Sequence, residues 1–167
     1  WPVPVGASLV LSSFHGSIGG GIMAPMRNLV ANSWMIRTDG AGLLADLTRN
    51  LKLHWDSPRI LLLGAGGAAR GAMGPLLSLQ PELLVIANRT VDRAVELATE
   101  FAELGPIAAC EFSKLEHRRF DLIVNATSAS LRGEVPAIPA GIVDAATTCY
   151  DMSYGTTDTP FTAWARR

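Results

Sequence analysis

Arg59-Ile60-Leu61-Leu62-Leu63-Gly64-Ala65-Gly66-Gly67-Ala68-Ala69 is the stretch on which the fold turns. Ile60 to Leu63 is short, wholly apolar and bounded by glycine, the pattern of a parallel strand buried on both faces. The glycines that follow allow a tight turn, and the small residues beyond them open a helix predicted over 68–79, with Pro75 expected to kink it. The segment fits G-x-G-x-x-G/A, with Ala69 in the last place. Gly64 permits the turn, Gly66 and Gly67 leave the backbone open to a pyrophosphate, and Ala69 lets helix and strand approach. Amides of Ala68 and its neighbours in the first helical turn can then bind phosphate, helped by the helix dipole.

Outward from this turn the pattern repeats. Strands are predicted at 82–87, 106–110, 121–125 and 147–152, and a helix at 91–104. The helix carries Ala94, Leu97, Ala98 and Phe101 on one stripe. Residues 115–119 are short and polar, and a further helix starts at Pro160. Alternating strands and helices with short connections predict an α/β fold, a doubly wound parallel sheet (Rossmann-like) in a single domain. On the other side of the turn, Leu43, Leu44 and Leu47 predict a helix over 39–50, with Thr38 or Asp39 as its cap.

The second strand ends in Asn88-Arg89-Thr90, with Arg93 just beyond. A dinucleotide site without a 2′-phosphate usually has an acid here, on the ribose hydroxyl. Two guanidiniums and a hydroxyl instead suit the 2′-phosphate of NADP. Asp92 is expected to point away from Arg89. Ala126-Thr127-Ser128 follows the 121–125 strand and Met152 ends the 147–152 strand, both at ends where an open α/β sheet binds ligands.

Composition narrows the class. Charged residues make up 17% of the 167 residues, and the net charge is −1, which offers no attraction for nucleic acid or an anionic membrane. No apolar run is long enough to span a bilayer, and the apolar 5–14 stretch lacks the basic residue that a signal peptide would place before it. Cys110 and Cys149 are too few for a disulfide framework or a zinc site and read as buried reduced thiols of a cytoplasmic protein. His15, His54 and His117 show neither metal spacing nor a nucleophile's context, so no metal site is expected. Oligomeric state is not legible, and a homodimer stays open.

The charge is unevenly distributed. All 15 Asp and Glu fall after residue 38, while Arg27 and Arg37 are the only charges before it. Residues 1–34 are rich in Gly, Ser and Pro without a sustained period, and loop is expected there. The division is therefore an atypical, loop-like segment over 1–37 and a Rossmann-type unit over 38–167. The break suggests either an out-of-frame coding segment or a short extension packing on the sheet.

Five ordered segments together resemble shikimate dehydrogenase: Thr38-Asp39-Gly40-Ala41-Gly42, Leu62 through Gly71, Ala87 through Ala94, Phe120 through Ser128, and Tyr150-Asp151-Met152-Ser153-Tyr154, with Pro160-Phe161 continuing the match. The resemblance covers about residues 38–167. It implies an NADP-dependent reduction of 3-dehydroshikimate to shikimate, in the supply of chorismate and aromatic amino acids. It implies that residues 66–69 bind the pyrophosphate and that Asn88, Arg89, Thr90 and Arg93 clamp the 2′-phosphate. Ala126, Thr127, Ser128 and Met152 would lie along the nicotinamide half, with Thr38, Asp39 and Tyr154 on the substrate and Asp39 catalytic. Three departures stand out. Arg37 replaces the family's Asn, residues 1–37 hold no lysine to act beside Asp39, and the chain stops at Arg167 before the family's last elements. The resemblance thus implies a C-terminally shortened cofactor-binding domain with low or no turnover alone. Two alternatives remain: the NAD-accepting quinate/shikimate branch, which the arginines disfavour, and a nonenzymatic NADP-binding module.

Overall fold

The computed structural model describes residues 9–12, 42–45, 47–48, 54–153 and 158–166. Six parallel strands form one sheet: β1 (Leu9–Ser12), β2 (Arg59–Leu63), β3 (Leu83–Ala87), β4 (Ile107–Cys110), β5 (Leu122–Asn125) and β6 (Thr148–Asp151). Among the described residues, three helices of six or more residues accompany them: α1 (Gly67–Leu77), α2 (Val91–Glu100) and α3 (Pro160–Ala165). The strand order is β1-β6-β5-β2-β3-β4. From β2 the chain winds outward through β3 to β4, then returns to the other side of β2 as β5 and β6. This is the doubly wound parallel sheet expected from the sequence.

Period-two alternation divides the core into two layers. Ile60, Leu62, Leu84, Ile86, Leu122 and Val124 face Ala69, Ala72, Met73 and Leu76 of α1 and Ala94 and Leu97 of α2. Leu61, Leu63, Val85, Ile123 and Cys149 face Leu115, Phe120, Ile142 and Phe161 on the opposite side. Each central strand is thus buried on both faces, which is why 60–63, 83–87 and 122–124 read as continuous apolar runs. Phe161 and Trp164 of α3 stack with ring centroids 5.7 Å apart.

The elements follow the expectation with shifted ends. Pro75 lies inside α1 without ending it. The helix predicted to reach Leu104 stops at Glu100, because Phe101 leaves the helical region (φ −108°, ψ 6°) and the chain tightens into a 3-10 turn over Ala102–Leu104. Pro106 disfavours helix at the residue before it. The polar 115–119 stretch is preceded by a 3-10 turn, Phe112–Leu115. Of the helix predicted over 39–50, residues 42–45 are helical and 47–48 form a wider π-type turn. Leu43 and Leu47 are buried against the α1 and α2 side of the sheet. The loop expected over 1–34 is corrected at Leu9–Ser12, which pairs in parallel with β6 from Leu9 against Thr148 to Ser12 against Asp151.

Both cysteines are free and buried, as expected. Burial raises the Cys149 thiol to about 12. His54 and His117 are exposed, whereas His15 lies outside the described residues. No described helix is long and apolar enough to cross a membrane, and no group of three potential metal ligands occurs among the described residues.

Candidate functional site

The carboxyl ends of β2 to β6 open into a cleft of about 690 Å³. It lies where the strand order reverses, the place at which open α/β sheets take their ligands. Gly64, Gly66, Gly67 and Ala68 after β2 line it, with Asn88, Arg89, Thr90 and Arg93 after β3. Ala126, Thr127 and Ser128 after β5 and Met152 after β6 complete the expected set. Ala69 is fully buried instead, on the α1 face that packs against the sheet. Thr38, Asp39 and Tyr154 lie outside the described residues.

The glycines serve different needs. Gly64 has φ +104°, and a Cβ there would stand 3.0 Å from the Ala126 carbonyl oxygen, so only glycine fits. Gly66 has φ −93°, an ordinary extended conformation, and a Cβ there would meet nothing within 4 Å. Neither backbone strain nor protein packing calls for glycine at 66, which leaves open space over the start of α1. That helix has no side-chain cap and no acid in its first turn, so its amino-terminal N–H groups face the cleft with their partial positive charge.

At the end of β3 the cleft is cationic. Asn88 Nδ2 donates to the Thr90 carbonyl oxygen at 2.9 Å and ties this loop together. Thr90 precedes α2 as its N-cap, yet its hydroxyl makes no capping bond. The exposed guanidiniums of Arg89 and Arg93 enter no ion pair among the described residues, while Arg70, Arg119, Arg132 and Arg166 each hold a carboxylate. Asp92 does not line the cleft; it sits in the first turn of α2, where it suits the helix dipole.

At the end of β5, Asn125 is fully buried and shapes the loop that follows. Its Oδ1 accepts from the Thr127 amide at 3.1 Å and the Thr127 hydroxyl at 2.7 Å. Arg132 donates to the Ser128 hydroxyl at 2.6 Å and to Glu134 at 3.1 Å, closing a polar clasp along the rim. Phe112, Leu131, Arg132 and Glu134 line the cleft as well. These four were not singled out in the sequence. Phe112 had a usable signal, as an aromatic residue two positions past a strand's carboxyl end; the others depend on how the 130–134 loop folds.

Comparison with known proteins agrees with this construction. A family model described as Shikimate / quinate 5-dehydrogenase matches residues 46–133, which include the glycine turn, the Arg89 loop and the Thr127 loop. A protein named shikimate dehydrogenase (NADP(+)) from Methylococcus capsulatus is 54% identical over 129 residues, covering 77% of this chain and 46% of that protein. Among solved structures, an Ael1 enzyme from Pseudomonas putida superposes with a TM-score of 0.69 at 44% identity, over 77% of this chain and 47% of that one. Shikimate 5-dehydrogenase from Thermus thermophilus, solved with NADP(H) and shikimate, gives 0.61 at 29% identity, over 77% and 46%. The chain spans about half the length of the curated relatives it matches. With more than half of its residues under the family model and its sheet and glycine turn built accordingly, the chain belongs to the shikimate/quinate dehydrogenase family.

Proposed function

We propose that the cleft binds NADP(H) and that residues 38–167 form the cofactor-binding unit of an enzyme interconverting 3-dehydroshikimate and shikimate. One observation carries the cofactor reading: Arg89, Arg93 and the Thr90 hydroxyl stand without partners among the described residues at the end of β3, in the same cleft as the glycine turn. Three donors of this kind, two of them cationic, fit the 2′-phosphate of NADP. Asn88 holds their loop in shape. A fingerprint glycine with no other reason to be glycine supports close approach of a pyrophosphate at Gly66. The names of the relatives and the NADP(H) complex of a neighbour agree with this reading.

In this assignment Gly64 shapes the turn, while Gly66, Gly67 and Ala68 receive the pyrophosphate against the start of α1. Ala69 keeps α1 close to the sheet. Ala126, Thr127, Ser128 and Met152 lie along the nicotinamide half. The bound nicotinamide supplies the hydride. We assign Thr38 and Tyr154 to the substrate and Asp39 to proton handling at the reacting oxygen. Two buried thiols fit a cytoplasmic setting.

Titration of NADPH fluorescence against NADH tests the cofactor reading. Saturable NADPH binding with a clear preference over NADH is expected. Absence of saturable binding at millimolar NADPH refutes it.

A further inference from the structure

Asp151 closes β6 beside Asn125, its register partner on β5. Both side chains are fully buried, and neither residue lines the cleft. The loops that do line its β5 and β6 side are nevertheless hung from them. Asp151 Oδ1 accepts from the Ser153 amide at 2.9 Å. Its Oδ2 accepts from the Ser130 hydroxyl at 2.7 Å and the Thr159 hydroxyl at 2.6 Å.

The direction of each bond is forced. The Thr127 amide cannot do other than donate, so Asn125 must present Oδ1 to it and Nδ2 to Ser130, 3.3 Å away. Ser130 Oγ therefore accepts from Asn125, and its proton goes to Asp151. Thr159 Oγ1 likewise accepts from the Thr162 amide at 3.2 Å. Its proton takes the 2.6 Å acceptor on Asp151 over the Thr162 hydroxyl at 3.3 Å. Three donors thus converge on a side chain that must accept on both oxygens. A carboxylate does this; the isosteric amide of Asn offers a fourth donor and breaks the sequence.

We propose that Asp151 is a positioning residue for the nicotinamide side of the cleft, acting through Ser130 on the 127–130 loop and through the Ser153 amide on Met152 and Ser153. The inference rests on the reading of the cleft as an NADP(H) site. Asp151 touches no part of the cofactor. It fixes the loops on one half and leaves the Arg89 loop, which follows β3, three strands away from β6, unaffected.

The test compares two ligands on the full chain: NADPH, which spans the cleft, and adenosine 2′,5′-bisphosphate, which reaches the Arg89 end alone. For Asp151→Asn, NADPH affinity is expected to fall roughly tenfold or more, as for a buried donor left unsatisfied, with bisphosphate affinity unchanged. Ser130→Ala cuts the link without altering charge and provides the decision if Asp151→Asn does not fold. It is expected to show the same selective loss, and Ser130→Thr, which keeps the hydroxyl, to restore NADPH affinity. Equal loss for both ligands, or no loss in Ser130→Ala, overturns the positioning role. Failure of the unaltered chain to bind either ligand refutes the cofactor reading instead.

Discussion

A Cβ built on Gly64 would lie 3.0 Å from the carbonyl oxygen of Ala126, with Thr127 Cγ2 at 3.3 Å behind it. The backbones leaving β2 and β5 are therefore in contact at the floor of the cleft, and the turn has no room for a side chain. Gly64→Ala meets both this contact and the positive φ. It is expected to destabilise the fold by about 1–3 kcal/mol, measured as a lower midpoint in urea.

Gly66→Ala separates binding from stability. Its backbone is relaxed and its surroundings are open. Stability should hold or rise by about 0.4–1 kcal/mol, since alanine restricts the unfolded chain. NADPH binding should weaken because the new methyl occupies the space left for phosphate. Urea melts and fluorescence titrations on one variant give both readings; retained affinity counts against a pyrophosphate at this turn.

Arg89→Ala and Arg93→Ala probe cofactor choice. Loss of a charged hydrogen bond of about 1.5–3 kcal/mol should weaken NADPH roughly tenfold or more, with NADH little changed. Calorimetric titration with both nucleotides reads the difference. Equal losses for the two would place these arginines away from the 2′-phosphate.

The elements that were legible in the sequence are those whose burial is symmetrical. Residues 60–63 of β2, all of β3 and residues 122–124 of β5 are apolar because both faces are covered, and the glycine turn and Arg89 loop follow at fixed offsets from strand ends. β1 was missed because Leu9–Ser12 sits in an apolar stretch without alternation and acquires its partner, β6, from far along the chain. Phe112 and Arg132 enter the cleft through 3-10 turns that carry no periodic signature. Asn125 and Asp151 look like ordinary polar ends of strands, and their roles depend on cross-strand register.

Thiol chemistry should be silent in the native state. Burial raises both Cys110 and Cys149, the latter to about 12, although Arg118 works in the opposite direction at Cys110. At pH 8 neither thiol should react with a disulfide reagent, and both should react in denaturant. A fast native phase would indicate that the core layer holding both cysteines opens.

Acid titrates the loop before β6. The Asp144 carboxyl is held below its ordinary 3.8 by the Ala146 amide first, then by Thr147 and Arg119, against a desolvation cost. A lowered native pKa contributes stability that is present above the unfolded value and lost as pH falls through the native one. Asp144 and Arg119 are both well exposed, so the contribution is discounted to about 1 kcal/mol or less. Asp144→Asn should be slightly less stable at neutral pH, with the gap closing below about pH 4. A constant gap across the acid range contradicts this.

The polar bonds between β5 and β6 also bear on how the chain finds its own fold. Ile60-Leu61-Leu62-Leu63 and Leu83-Leu84-Val85-Ile86-Ala87 are nearly uniform along their lengths, and uniform strands distinguish poorly between one alignment and the next. Asn125 and Asp151 mark a single level across the sheet, beside Leu63 on β2. Sliding β5 by one residue turns Asn125 to the other face and strips Asp151 of Ser130, leaving buried polar groups unpaired. Correct alignment keeps them satisfied. The same few atoms that support the cleft rim thereby act as a proofreading mark, penalising misaligned sheets that greasy strands alone would tolerate.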